Sequence, residues 1–241
     1  MNNKIILFLV FVFAYTANSQ SLNGAWKLIE KDGVAVDYEM IKLHSDLYFT
    51  YAAYHKSTGE FIEAGGGTYQ YEFFNYKENY EIDSTNPERS GTTTSYKAIM
   101  EAENLRITNL STGEVQKWLK IDEADNKLMA TCWRIHKKQD EGDPDWRRIE
   151  YAPRKTLKLL TNHRYQVLAL NSETGKFVGS SGGTWTSNDQ NYIEHIEFFS
   201  KDPSNVGRSL SFYKKIDHDL WHHSGRDTQG QVLMEKWLRY K

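Results

Sequence analysis

Apolar and polar positions alternate along most of this chain, in short runs closed by turn residues. Gly24-Ala25-Trp26-Lys27-Leu28-Ile29 opens the first run, and Lys31-Asp32-Gly33 turns it. Residues 47–54, rich in Tyr and Phe, form a second run. Beyond the turn Ser57-Thr58-Gly59, residues 61–74 pass through Gly65-Gly66-Gly67. Glycine inside a strand pattern predicts a bulge, a sharp bend or a close backbone approach. Past it, Tyr69, Tyr71 and Phe73 share one face by period two. Residues 79–84 and 92–100 follow as strands, then a hairpin of 105–109 and 115–121 across Ser111-Thr112-Gly113. No long helical period interrupts this pattern, so the chain reads as meandering antiparallel β structure.

The second half repeats the first. Gly65-Gly66-Gly67-Thr68-Tyr69 is answered by Ser181-Gly182-Gly183-Thr184-Trp185, 116 residues later from Gly67 to Gly183. Asn75-Tyr76 with Glu78 and Glu81 recurs as Asn191-Tyr192 with Glu194 and Glu197. Pro87 and Gly91 recur as Pro203 and Gly207. Lys117-Trp118-Leu119-Lys120 recurs as Lys236-Trp237-Leu238-Arg239, and Trp133 echoes Trp26. The chain is an internal duplication. It divides into repeat 1 (20–121), a charged linker (122–126) and repeat 2 (127–241). Repeat 2 reads as strands near 149–160, 164–171, 177–186, 192–200, 208–216, 220–224 and 231–240. Strands of this kind dispose of their edges most completely by closing, which predicts an all-β chain of two tandem antiparallel β-barrels. Eight strands enclose side chains or one small ligand.

Composition narrows the partners. Residues 1–19 carry Lys4, an apolar run and Ala17-Asn18-Ser19, the form of a secretory signal peptide. An exported protein, periplasmic or secreted, is expected. No later stretch approaches the ~20 apolar residues of a spanning helix, so no membrane span is expected. The 30 basic and 32 acidic residues leave a formal charge of −2, or −3 once Lys4 is removed, against a nucleic-acid partner. The single cysteine, Cys132, has no internal partner for a disulfide, so each repeat must rely on its core.

On these residues the chain resembles a lipocalin-like (calycin) domain family of exported Bacteroidetes-type proteins without a settled function. The resemblance rests on Gly24-x-Trp26 with its echo at Trp133, the Gly-Gly-Thr-Tyr/Trp segments, the Tyr-x-Glu strands and the closing Lys-Trp-Leu-Lys/Arg. Thr131 replaces the opening glycine in repeat 2. The resemblance implies barrels that hold a small hydrophobic or amphipathic ligand. It also implies that Trp26 and Trp133 cap the closed barrel ends beneath Lys120 and Arg239.

Candidate chemistry is sparse. Glu78 and Glu194 share a face with Tyr76 and Tyr192, and a carboxylate inside a barrel has its pKa raised by desolvation. Glu81 and Glu197 fall on the opposite face and read as solvated. Gly179-x-Ser181-x-Gly183 matches the nucleophile-elbow pattern, but within a strand rather than a strand-turn-helix. His218, His222 and His223 cluster with Asp217 and Asp219; along one strand His218 and His222 lie too far apart for one metal unless a turn closes the gap, and the group reads as a surface histidine cluster. The acidic run 140–145 lacks EF-hand spacing and reads as a solvated loop. No metal, cofactor or catalytic residue is assigned. The expected role is binding a small amphipathic ligand, with a saccharide ligand or a carbohydrate-processing accessory as the alternative. The expected contacts are Tyr69, Tyr71, Phe73, Tyr76 and Glu78 in repeat 1 and Trp185, Tyr192 and Glu194 in repeat 2. Since repeat 1 runs on in aromatics and repeat 2 turns polar after Trp185, barrel 1 is expected to hold the more apolar ligand.

Overall fold

The computed structural model describes residues 21–126 and 128–240; segment 1–19, expected from its sequence to be a signal peptide, lies outside them. The first half comprises β1 (Gly24–Lys31), β2 (Val34–Ala35), β3 (Glu39–Ser45), β4 (Tyr48–Tyr54), β5 (Phe61–Glu72), β6 (Asn75–Asp83), β7 (Thr93–Glu101), β8 (Asn104–Asn109) and β9 (Val115–Asp122). The second comprises β10 (Cys132–Gln139), β11 (Arg147–Arg148), β12 (Arg154–Leu160), β13 (Arg164–Asn171), β14 (Lys176–Asn188), β15 (Asn191–Phe199), β16 (Ser209–Asp217), β17 (Leu220–Arg226) and β18 (Val232–Arg239). Each half is an antiparallel meander closed by its first and last long strands, β1 with β9 and β10 with β18. The two-residue strands β2 and β11 are appendices of β1 and β10. The result is two eight-stranded barrels, consistent with a lipocalin-like fold.

The glycine segments mark matching bulges. The ladder between β5 and β6 slips between Gly66 and Gly67, leaving Glu81 unpaired between Tyr80 and Ile82. The ladder between β14 and β15 slips between Gly182 and Gly183, leaving Glu197 in the same place. A Cβ on Gly67 would stand 1.9 Å from the Asn79 carbonyl oxygen, and one on Gly183 2.1 Å from that of His195. Only glycine lets these backbones approach so closely.

The bulge residues are only partly exposed, and both are held by partners. Glu81 accepts from Lys155 of the other barrel at 2.7 Å. Glu197 accepts from Tyr54 of the other barrel at 2.7 Å and from Arg164 of its own at 2.9 Å. Around them the barrels pack through an apolar layer from both repeats, including Ala52, Tyr54, Leu157, Leu159 and Phe198. The layer has approximate twofold symmetry. Phe61 stacks on Phe177, its own repeat equivalent, with centroids 5.7 Å apart. Tyr54 stacks on Phe198, while their equivalents Leu170 and Ile82 pack together in a second cluster. This arrangement resembles the isologous contact of a C2 dimer.

At the closed ends, the caps implied by the resemblance are present. The Trp26 and Trp133 indoles are fully buried and donate to the carbonyls of Leu22 and Met129 at 2.8 and 3.0 Å. The Lys120 ammonium lies 5.6 Å from the Trp26 ring centroid, and the Arg239 guanidinium 5.0 Å from that of Trp133. Replacing Trp133 by Ala should therefore cost ~3–5 kcal/mol, the usual range for a buried aromatic. Urea denaturation checks this; a loss below ~1 kcal/mol would contradict a capping role.

Candidate functional site

Each barrel is divided across its middle by a buried lysine–carboxylate pair. In barrel 1, β3 carries Lys42 inward and β6 carries Glu78. The ammonium pairs with Glu78 Oε1, and Glu78 is wholly buried. Tyr76 donates to the same oxygen at 2.5 Å, and Tyr80 donates to Oε2. Lys42 also lies over the Trp118 ring, 4.9 Å from its centroid. In barrel 2, Lys158 of β12 pairs with Glu194 Oε1 of β15 at 2.7 Å. There the ammonium lies 5.2 Å from both the Trp221 and Trp237 centroids.

This pairing reverses the expected titration of Glu78. Burial alone pushes its carboxyl up. The Lys42 charge and the hydrogen bonds from Lys42, Tyr76 and Tyr80 outweigh burial and hold it below the ordinary glutamate value. It is an anchored anion rather than a poised general acid. Barrel 2 adds a second buried carboxylate, Glu235. Burial pushes it up, but His223 and Lys138 bring it down to about 2. Lys138 stands 2.8 Å from it, and it accepts from the Trp237 indole at 3.0 Å.

Beneath the floor, toward the closed end, lie Tyr69, Tyr76, Trp185 and Tyr192, all buried. Tyr69 donates to Asn23 at 2.9 Å, and Trp185 donates to the Thr161 carbonyl at 3.2 Å. Tyr69 and Tyr71 border an outer surface depression with Leu22 and Leu47 instead of the barrel 1 cavity. Phe73 leaves the expected face: β5 ends at Glu72, and Phe73 sits on the turn with φ of 55° and 78% exposure. Of the eight expected contacts, the structure gathers Tyr76 with Glu78 and Tyr192 with Glu194 at the two floors. Only Glu194 borders a mid-barrel cavity.

Above the floor each barrel opens into a cavity. Barrel 1 encloses about 300 Å³ and barrel 2 about 560 Å³. The walls reverse the polarity expected from the sequence. Barrel 1 presents Tyr51, Tyr80, Glu63, Thr94 and Arg89. Barrel 2 presents Ile149, Val167, Phe199, Leu210 and Leu233. The expectation failed because it was read from positions after the glycine segment, which belong to the closed end. Tyr51 stands opposite Gly65, and Val167 opposite Ser181. A Cβ on Gly65 would lie 2.6 Å from both the Tyr51 ring and the Ile82 carbonyl oxygen, so glycine there makes room for the tyrosine.

Sequence reasoning missed Lys42 and Lys158, yet a signal existed. Both stand between apolar neighbours, in Ile41-Lys42-Leu43 and Leu157-Lys158-Leu159, at the repeat spacing. His223, expected in a surface histidine cluster, is instead buried in barrel 2 with Nδ1 3.7 Å from Glu235. Gly179-x-Ser181-x-Gly183 runs along β14 in ladder register with β13, without the turn a nucleophile elbow needs. His218 lies on the turn after β16, apart from His222 on β17. No helix among the described residues is long and apolar enough to cross a membrane. No known protein-family model and no curated protein sequence matches the chain.

Two predictions follow from the floor of barrel 1. Lys42→Met leaves Glu78 buried without its cation and should cost ~3–5 kcal/mol. Adding Glu78→Gln should recover part of that loss in urea denaturation, since the uncompensated charge is gone. The second concerns His44, whose Nε2 lies 2.8 Å from the Tyr76 hydroxyl. Burial, aided by the Lys42 charge, holds its pKa down at about 3. An unfolded histidine titrates near ~6.5, so unfolding takes up a proton and stability falls as pH drops from ~6.5 toward 3. At pH 5 this amounts to ~2 kcal/mol relative to neutral pH. His44→Leu installs the repeat 2 residue, Leu160, and should remove that share of the pH dependence between pH 7 and 5.

Proposed function

We propose that the chain is an exported small-molecule-binding protein that holds an amphipathic ligand in its second barrel. The observation that carries this reading is the barrel 2 cavity. Its volume of about 560 Å³ falls within the range of small-ligand sites, and its wall is mainly apolar over a charged floor. Leu210, Val167 and Leu233 meet the ligand's apolar body. Lys158 and Glu194 fix a polar end from below. Arg154, exposed at the mouth and in no ion pair among the described residues, meets polar groups that face outward. The closed end, with Trp133 and Trp185, supports the floor and does not touch ligand. Export rests on the leader-like segment 1–19, and the lipocalin-like resemblance of the sequence agrees with this reading.

The test is binding of N-phenyl-1-naphthylamine, a neutral apolar dye, by fluorescence. Val167→Tyr with Ser181→Gly copies the Tyr51–Gly65 pair of barrel 1 and fills the cavity from one side. It should weaken dye binding at least ~10-fold, about 1.4 kcal/mol. Tyr51→Val in barrel 1 should leave the dye affinity unchanged. Absence of saturable dye binding, or equal binding by the filled variant, would overturn the proposal.

A further inference from the structure

The first barrel differs from the second in a way that defines a different ligand. The repeat spacing allows comparison residue by residue. Tyr51, Tyr80, Thr94 and Tyr96 in barrel 1 stand where barrel 2 has Val167, Ile196, Leu210 and Phe212. Each exchange in barrel 1 supplies a hydroxyl that barrel 2 lacks, and three of the four keep or add an aromatic ring. Glu63 likewise stands where barrel 2 has Gly179. Asn109 and Gln116 add amide groups to the wall, and Gln116 accepts from the Trp118 indole at 3.0 Å.

The cations of this wall are compensated within the protein, while the Glu63 carboxylate accepts from the Thr85 hydroxyl at 2.9 Å. Lys31 pairs with Glu114 at 2.7 Å, Lys42 with Glu78, and Arg89 with Asp83 at 3.0 Å. The Arg89 guanidinium also lies over Tyr80, 3.8 Å from its ring centroid. Every lining cation is therefore engaged by a carboxylate, which disfavours an anionic ligand. An apolar ligand would strand hydroxyl and amide groups without partners, at the cost of their desolvation. The surface instead combines aromatic bodies with groups that both donate and accept. At about 300 Å³ the space is at the small end of ligand pockets and suits a compact ring system rather than a long chain.

We infer that barrel 1 is a second, separate binding site, for a neutral polyhydroxylated ligand of the size of a mono- or disaccharide. Hydroxyls of such a ligand meet Tyr51, Tyr96, Thr94 and the amides, while its C–H faces pack on the aromatic wall. The inference does not depend on what barrel 2 holds.

The experiment uses the full chain and titrates glucose, galactose, N-acetylglucosamine, maltose and cellobiose by calorimetry. At least one should bind saturably with Kd below ~1 mM, about −4 kcal/mol. Tyr96→Phe and the pair Tyr51→Val with Thr94→Leu, which install barrel 2 residues, should each weaken it at least ~10-fold. Binding of N-phenyl-1-naphthylamine serves as an independent readout of barrel 2 and of folding. Tyr96→Phe is nearly isosteric, so it decides the matter should the double variant fail to fold. The inference is overturned if none of the five sugars binds. It is equally overturned if sugar binding survives Tyr96→Phe unchanged, or is lost only in Val167→Tyr with Ser181→Gly, which places the sugar in barrel 2. Loss of dye binding with sugar binding intact would overturn the barrel 2 proposal and leave this one standing.

Discussion

An ion pair inside a β-barrel must overcome the cost of taking both charges out of water, and that cost shapes everything around Lys42–Glu78 and Lys158–Glu194. Attraction alone rarely repays it; additional hydrogen bonds must satisfy the remaining lone pairs and protons. In barrel 1 the carboxylate receives Tyr76 and Tyr80 besides Lys42, and the ammonium lies near Trp118 and Phe49. Rings serve well here because their faces attract a cation while their bodies fill the core. The aromatic content of the chain is thereby explained in part by the floor. Fixing the pair at mid-height also separates a packed closed end from a cavity that remains available above it.

The same floor tolerates different surroundings. Barrel 2 replaces Tyr80 by Ile196, so Glu194 loses that hydroxyl donor. It replaces Gln116 and Ile107 by Glu235 and His223, and Lys138 balances the added carboxylate. One neutral amide has become a buried charge network without disturbing the indole bond from Trp237, which matches that from Trp118 in barrel 1. Conservation of the geometry across the duplication, with exchange of the polar partners, separates what holds the barrel from what lines it.

The fold was largely legible, because alternation, turn residues and the 116-residue repeat all bear on strands and closure. The site was less so. Strand β3 went unread in repeat 1, since Glu39 to Ser45 does not alternate: its later residues are buried on both faces, toward the cavity and toward the other barrel. That strand carries Lys42, so the floor was read with its carboxylates and without their cations. Glu81 and Glu197 were rightly placed opposite Glu78 and Glu194. Their partners in the other barrel were missed because no single-barrel pattern reveals that the outer face meets another barrel. Phe73 was misassigned by extending period two beyond the end of β5, where the backbone turns into the left-handed region.

The way the two barrels meet explains how their cavities diverged. Strand β4 is buried along its whole length. Phe49 and Tyr51 point into barrel 1, while Tyr48, Ala52 and Tyr54 belong to the layer between barrels. Strand β13 repeats this, with Val167 on the cavity of barrel 2 and Leu168 and Leu170 against Ile82 of barrel 1. Alternation along a strand assigns these duties to opposite faces. The outer face is constrained by its symmetric counterpart, since Tyr54 needs Phe198 as Leu170 needs Ile82. The inner face answers only to its own barrel, where Tyr51 opposite Gly65 in barrel 1 is exchanged for Val167 opposite Ser181 in barrel 2. A duplicated barrel held together by its outer faces is thus free to change its contents one cross-strand pair at a time.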